Sequence, residues 1–199
     1  IYASATRFGA PTAASDHIIG SASDDRIYAL VQTDLGGNDL IETGAGHDFV
    51  SSGAGDDVIS GGADSDILAG GAGEDRLYGD IQISAADAIA AGNLTNTGTG
   101  KRGDWLSGGE DDDTLIGGNG NDVLMGGAGR DLLIGGAGDD NILGDTDWVA
   151  TKFEWIRIDL PDIHYFYPVD SNTQPDEGSK DVIYAGSGDD YVRGGKGND

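Results

Sequence analysis

Apolar residues in this chain keep a spacing of nine. Ile41, Val50, Ile59, Leu68 and Leu77 form one series, and Leu106, Leu115, Leu124, Leu133 and Ile142 form a second. Each sits in the middle of a three-residue x-apolar-x segment that follows a glycine-rich hexapeptide ending in aspartate. A segment of this length with alternating side chains predicts a short strand whose central residue alone faces inward. The glycine runs predict turns between the strands. A period of nine therefore predicts coils stacked on coils rather than one closed sheet, and it has to be settled before any single element is assigned.

The stretch from 52 to 78 shows the unit most clearly. It reads Ser52-Gly-Ala-Gly-Asp-Asp57-Val-Ile-Ser60, then Gly61-Gly-Ala-Asp-Ser-Asp66-Ile-Leu-Ala69, then Gly70-Gly-Ala-Gly-Glu-Asp75-Arg-Leu-Tyr78. Six segments follow from the register. Residues 1–33 are a lead-in with two degraded units around Asp16–Ile18 and Asp25–Ile27, whose loops lack the glycines. Residues 34–78 hold five units, 79–98 leave the pattern, and 99–143 hold five more. Residues 144–175 form a longer aromatic excursion, and 176–199 resume the repeat and stop where a strand is due. Both excursions open with Gly-Asp, at Gly79-Asp80 and Gly144-Asp145. Ser84–Ala91 predicts two helical turns with Gly92-Asn93 as the stop, and Phe153–Leu160 predicts a strand stopped by Pro161.

The nonapeptide Gly-Gly-x-Gly-x-Asp-x-apolar-x resembles the RTX repeat, the calcium-binding unit of secreted β-roll proteins. The resemblance implies an all-β fold: a parallel β-roll, a right-handed β-solenoid with two nonapeptides per turn, here carrying two insertions. It also implies that each ion sits between stacked loops. One loop supplies carbonyls from positions one and three, the other from positions two and four, and both supply their sixth-position aspartates. Those aspartates are Asp39, Asp48, Asp57, Asp66 and Asp75 in the first block and Asp104, Asp113, Asp122, Asp131 and Asp140 in the second. Asp181, Asp190 and Asp199 belong to the third. The matching glycines are Gly44, Gly46, Gly53, Gly55, Gly62, Gly71 and Gly73, then Gly118, Gly120, Gly127, Gly129, Gly136 and Gly138, then Gly186 and Gly188. Asp64 and Asp111 depart from the pattern by replacing fourth-position glycines.

The chemistry suits a hard cation, because curled glycine loops offer carbonyls and aspartates offer carboxylates in an all-oxygen site. Magnesium fits less well, since it dehydrates reluctantly and prefers rigid octahedral sites. Aspartates of one edge recur every 18 residues, giving seven same-edge pairs, and four more arise if the roll continues across the excursions. The expected load is thus about seven to eleven calcium ions.

Composition sharpens this picture. The 199 residues include 36 glycines, and 36 acidic against 11 basic residues give a formal charge of −25. Nucleic acid and anionic membrane are poor partners for such a chain. Its carboxylates repel one another in any compact state, so the metal-free chain is expected to be largely unfolded. Cysteine is absent, which removes disulfides and thiolate metal sites. No apolar run is long enough to span a bilayer.

No nucleophile elbow, zinc-protease motif or phosphate loop is present, and His17, His47 and His164 share no context. The expectation is therefore no enzyme activity within this chain. Ile67, Trp105, Val123, Met125, Leu132, Ile134 and Leu143 fall at outward-facing strand positions. They are expected either to lie beneath the excursions or to meet another copy along the roll face. The aromatic excursion, with Trp148, Phe153, Trp155, Tyr165, Phe166 and Tyr167, reads as a satellite core or a binding site. The reading is a segment of a large secreted bacterial protein that folds on calcium outside the cell, with a structural, adhesive or assembly role. The alternative is the secretion and folding module of an exported enzyme or toxin.

Overall fold

The computed structural model describes residues 15–28, 36–92, 102–145, 158–160, 163–165, 180–195 and 199. Strands alternate between two parallel sheets as the chain advances. The first sheet holds β1 (His17–Ile19), β3 (Leu40–Ala45), β5 (Val58–Ala63), β7 (Arg76–Tyr78), β9 (Thr114–Asn119), β11 (Leu132–Ala137) and β15 (Val182–Ser187), in that order. The second holds β2 (Arg26–Tyr28), β4 (Phe49–Ala54), β6 (Ile67–Ala72), β8 (Arg102–Glu110), β10 (Asn121–Ala128), β12 (Asn141–Leu143) and β16 (Tyr191–Arg193). Consecutive strands thus lie in opposite sheets and pair with the strand two places along, as two nonapeptides per turn require. The fold is a parallel β-roll.

Between the sheets the eighth-position side chains stack in register. Ile41 faces Ile59, which faces Leu77, then Leu115, then Leu133, while Val50, Leu68, Leu106, Leu124 and Ile142 repeat this in the other sheet. All of them are fully buried. Even so, one inward aliphatic per nine residues is a thin core for the amount of backbone it orders.

The strands run longer than the three residues expected. From β3 to β6 each has six, because the glycines opening the next loop stay in the ladder: Gly44 pairs with Gly62 and Ala45 with Ala63. The degraded lead-in also belongs to the roll, since β1 pairs with β3 and β2 with β4.

Neither excursion breaks the stack. Ile67 of β6 pairs with Trp105 of β8, and Leu132 of β11 pairs with Val182 of β15. The first excursion contains the expected helix, α1 (Ala85–Gly92). Ser84 caps it, accepting from the Asp87 N–H at 3.2 Å and donating to the Asp87 carboxylate at 2.7 Å. The helix lies on the outer face of the first sheet, where Ala88 packs with Tyr78, Ile116 and Ile134, and Leu132 and Ile89 flank them. The outward apolar row of that sheet is therefore covered by the excursion at Tyr78, Ile116 and Ile134, the last left 1% exposed, while Val182 and Tyr184 continue the row on β15 and are exposed. On the second sheet Trp105 and Met125 are also buried, whereas Ile67, Val123 and Leu143 are half-buried.

Of the second excursion, β13 (Ile158–Leu160) and β14 (Ile163–Tyr165) pair antiparallel. The rest of the predicted 153–160 strand, and Trp148, Phe153, Trp155, Phe166 and Tyr167, lie outside the described residues.

Candidate metal centres

The loops between strands form two columns, one on each edge of the roll. In each column the sixth-position aspartates are tied by a repeated bond, in which a backbone N–H donates to the Oδ1 of the aspartate one coil on. On one edge this runs Asp39→Asp57→Asp75→Asp113→Asp131→Asp181→Asp199, at 2.8–3.4 Å. On the other it runs Asp48→Asp66→Asp104→Asp122→Asp140→Asp190, at 2.7–2.9 Å. Every aspartate pair counted from the sequence is brought together, including the four that cross an excursion. All of these side chains are buried except Asp190, which is half-buried, and Asp199, which is exposed.

The ladder also takes in two residues that sequence reasoning left aside. Asp16 N–H donates to Asp39 and Asp25 N–H to Asp48, at 2.8 and 2.7 Å. Their signal was the apolar residue two places on, at Ile18 and Ile27. The loop of Asp25 is closed differently, because Ser21 donates both its N–H and its hydroxyl to Asp25 Oδ2.

In the regular loops the second carboxylate oxygen has no such donor. Asp48, Asp57, Asp66, Asp75, Asp113, Asp122, Asp131 and Asp140 each hold a buried Oδ2 that accepts no hydrogen bond. A buried carboxylate oxygen without a partner is costly to leave in that state. A carbonyl oxygen of the next coil stands near it. A Cβ added to Gly61 would collide with Asp66 Oδ2 and with the Gly79 carbonyl of the next coil, and one on Gly117 with Asp122 Oδ2 and the Gly135 carbonyl. Second- and fourth-position carbonyls point the other way along the roll: Gly53 O faces Gly71, Gly55 O faces Gly73, Gly118 O faces Gly136 and Gly120 O faces Gly138. Each interface between loops thus has carbonyls entering from both sides and aspartates between them.

The loop shape relies on left-handed backbone at these positions, for example φ 115° at Gly53 and 119° at Gly55. Asp64 and Asp111 hold the left-handed region too, both with φ 77°, a conformation aspartate tolerates better than most residues. The replacement of those two glycines therefore leaves the turn intact.

Burial dominates the electrostatics. It pushes the carboxyl of Asp57 up to about 6, those of Asp66, Asp131 and Asp140 to about 7, those of Asp75 and Asp104 to about 8, and that of Asp113 to about 9. Asp122 is raised well above the usual range by burial and then by Asp104. In each column the neighbouring aspartates add to the rise, and the ladder N–H pulls back.

Among the described residues no three Asp, Glu or His side chains converge on one point. Carboxylates alone do not make these sites, and backbone carbonyls must complete them. Oxygen-only donors of this kind suit calcium. A family model described as the RTX calcium-binding nonapeptide repeat matches residues 12–35, 33–68, 51–82, 99–133, 116–147 and 177–199. The chain belongs to the RTX family. It is a calcium-binding RTX β-roll segment, of a kind typically found in secreted proteins. No curated protein and no solved structure matches it.

The RTX columns survive the excursions through a splice that the repeat alone does not show. Gly79 occupies the first place of the loop that Asp104 closes, because a Cβ there would meet Asp104 Oδ2 and Gly117 O. Gly144 does the same for Asp181 and Gly194. In a regular loop the third-position N–H bonds the second-position carbonyl of the coil before, as Ala45 bonds Ser21 at 3.2 Å. At the first splice the chain leaves the roll, and the Asp80 carboxylate accepts instead, from Asn119 N–H at 2.9 Å and its side-chain amide at 2.8 Å. Asp145 places its carboxylate against Gly195 in the same way. The shared Gly-Asp opening was the available signal.

Proposed function

We propose that calcium ions bind between the stacked loops, held by the sixth-position aspartates and by the carbonyls of the loop glycines named above. The eleven aspartate pairs are the candidate sites. The observation that carries this reading is the file of buried, hydrogen-bond-free Oδ2 atoms facing carbonyl oxygens of the next coil. Two positive charges per site would relieve both the self-repulsion of a chain at −25 and the burial of its carboxylates. The segment then folds only where calcium is plentiful. Extracellular modules bind calcium at about 10⁻⁴–10⁻³ M, so a protein of this class would cross the cell envelope unfolded and fold outside.

In this reading the chain has no catalytic role. It serves as a structural, adhesive or assembly unit, and the packing of α1 over Tyr78, Ile116 and Ile134 of the first sheet supports that role. An excursion whose helix is packed into the roll belongs to a built shape, which a bare folding module does not need. Val182, Tyr184 and Tyr191, exposed on β15 and β16, are the surface from which self-association along the roll would start.

Calcium titration followed by far-UV circular dichroism, with sedimentation velocity at each plateau, tests both parts. Gain of β-structure with calcium and not with equal magnesium is expected. A spectrum indifferent to calcium would remove the binding reading, and a monomer at all loads would remove assembly.

A further inference from the structure

Asn119 is followed by Gly120, the one Asn-Gly pair in the sequence. In an unfolded chain such a pair is chemically unstable. With no side chain on the glycine to obstruct it, the following backbone nitrogen reaches the asparagine Cγ. The N–Cγ bond forms, and the side-chain amide leaves as ammonia with the proton of that nitrogen. Water then opens the succinimide ring at one of its two carbonyls. One opening gives aspartate, and the other gives isoaspartate, in which the main chain runs through the former side chain. The reaction needs a mobile backbone and a nitrogen free to attack.

The folded roll denies it both. Asn119 is the last residue of β9, and Gly120 follows it in the left-handed region at φ 123°. The Gly120 N–H, the attacking group, donates to the Ala137 carbonyl of the next coil at 2.8 Å. The Asn119 N–H and its side-chain amide, the leaving group, both donate to Asp80 Oδ2 on the coil before, at 2.9 and 2.8 Å. Attacking and leaving groups are thus tied to different coils. Asn119 is exposed, so these bonds and not burial restrain it. Its place makes the reaction costly. Loop 117–122 stands between the loops that Asp104 and Asp140 close, and Asp122 is tied to both, at 2.7 and 2.9 Å. Aspartate at 119 would set a second carboxylate against Asp80 where a donor stood, and the like charges would repel. Isoaspartate would also lengthen the main chain just ahead of Gly120, whose carbonyl faces Gly138 of the next coil.

We propose that Asn119 is a deamidation site that the folded roll keeps closed, and that a chain held unfolded loses there the two loop interfaces flanking 117–122. The loss is permanent, because no step of folding restores the amide. The splice at Asp80 thereby limits how long the chain survives before calcium reaches it. This inference rests on the calcium reading above, since calcium is what ends the unfolded interval.

The test is an ageing experiment on the whole chain at mildly alkaline pH, in chelator and in millimolar calcium, with circular dichroism recorded throughout. The peptide holding Asn119 is followed by mass spectrometry and by chromatography that separates isoaspartate. In chelator it should gain the mass of an amide turned acid and split into two peaks, and in calcium it should stay intact. Equal rates in samples whose spectra differ overturn the inference, and so does an intact Asn119 in chelator. Equal rates with spectra indifferent to calcium overturn the calcium reading instead. The aged chain is then returned to calcium and its ions counted by equilibrium dialysis, beside Asn119→Gln aged in the same way, whose longer side chain closes the ring far more slowly. The aged natural chain should bind two ions fewer than the aged variant. Equal counts overturn the proposed loss of the two interfaces.

Discussion

Removing the metal at neutral pH should unfold the roll, and acid should partly restore it. Take Asp104, whose carboxyl is pushed up to about 8 by burial first and by Asp66 and Asp80 after that. In the unfolded chain it titrates at the ordinary aspartate value of 3.8. Between those two values the folded, metal-free state binds the proton and the unfolded state does not, so stability falls as pH rises through the window. At pH 7.5 the loss from this one group is about 5 kcal/mol at about 1.4 kcal/mol per pH unit. That is comparable to the whole stability of a typical domain, about 5–15 kcal/mol. Asp75 and Asp113 are raised as far or further, so no metal-free fold should survive at pH 7.5. At pH 4.5 only about 1 kcal/mol of that penalty remains, and a compact state should reappear in chelator. With calcium bound the order reverses, because protons then compete with the ion for the same carboxylates. Urea titrations followed by circular dichroism, in chelator and in millimolar calcium at pH 4.5 and 7.5, give the four states needed. A cooperative metal-free transition at pH 7.5 as late as the calcium-loaded one would refute this reasoning, and so would a metal-free roll that acid destabilises.

Asp122→Asn separates metal from fold. It should lower the urea midpoint in calcium and raise it in chelator, because the amide carries no charge to bury; a shift of the same sign in both would count against a ligand role. Leu115→Ala empties a fully buried place in the stack and should cost about 2–5 kcal/mol in the loaded protein, read from denaturation midpoints. Ser84→Ala removes the cap of α1 and should cost about 1 kcal/mol, with loss of the helix signal rather than of the roll. Arg130→Ala breaks an exposed pair with Asp112, 2.6 Å long, and should shift the calcium-loaded thermal midpoint by no more than a degree or two.

The repeat was legible because its physics is local. Inside a coil each aspartate has a fixed distance in sequence to its apolar partner, so register, inward residues and the aspartate columns can all be counted along the chain. Strand length could not be, since Gly44 and Ala45 look like turn residues and are held in the ladder by neighbouring coils, through Gly62 and Ala63 on one side and Ser21 on the other. The lead-in was undervalued for a related reason. The loop of Asp25 keeps only Gly20 of the repeat's glycines, yet Asp25 stays in the column because Ile27 stacks on Val50 and the backbone follows. Nothing in the repeat gives Thr43 or Ser52 a partner, and only the structure shows their hydroxyls donating to the Gly61 and Gly70 carbonyls of the next coil.

The excursions show what the roll cannot give up. Twenty or more residues can leave a loop and return with the stack undisturbed, provided the oxygen column stays continuous where they depart. Helix α1 shows the other requirement, because a departing segment that folds back over Ile116 and Ile134 returns the apolar surface of the sheet to a dry environment. Replacing Asp80 by Ala tests the first requirement without touching the second. The Asn119 N–H would lose its acceptor and the column would open at that interface alone. Amides from Gly117 to Asp122 should then exchange faster while α1 stays protected. Faster exchange of the helix with an unchanged loop would show that the excursion is held by its packing and not by the splice.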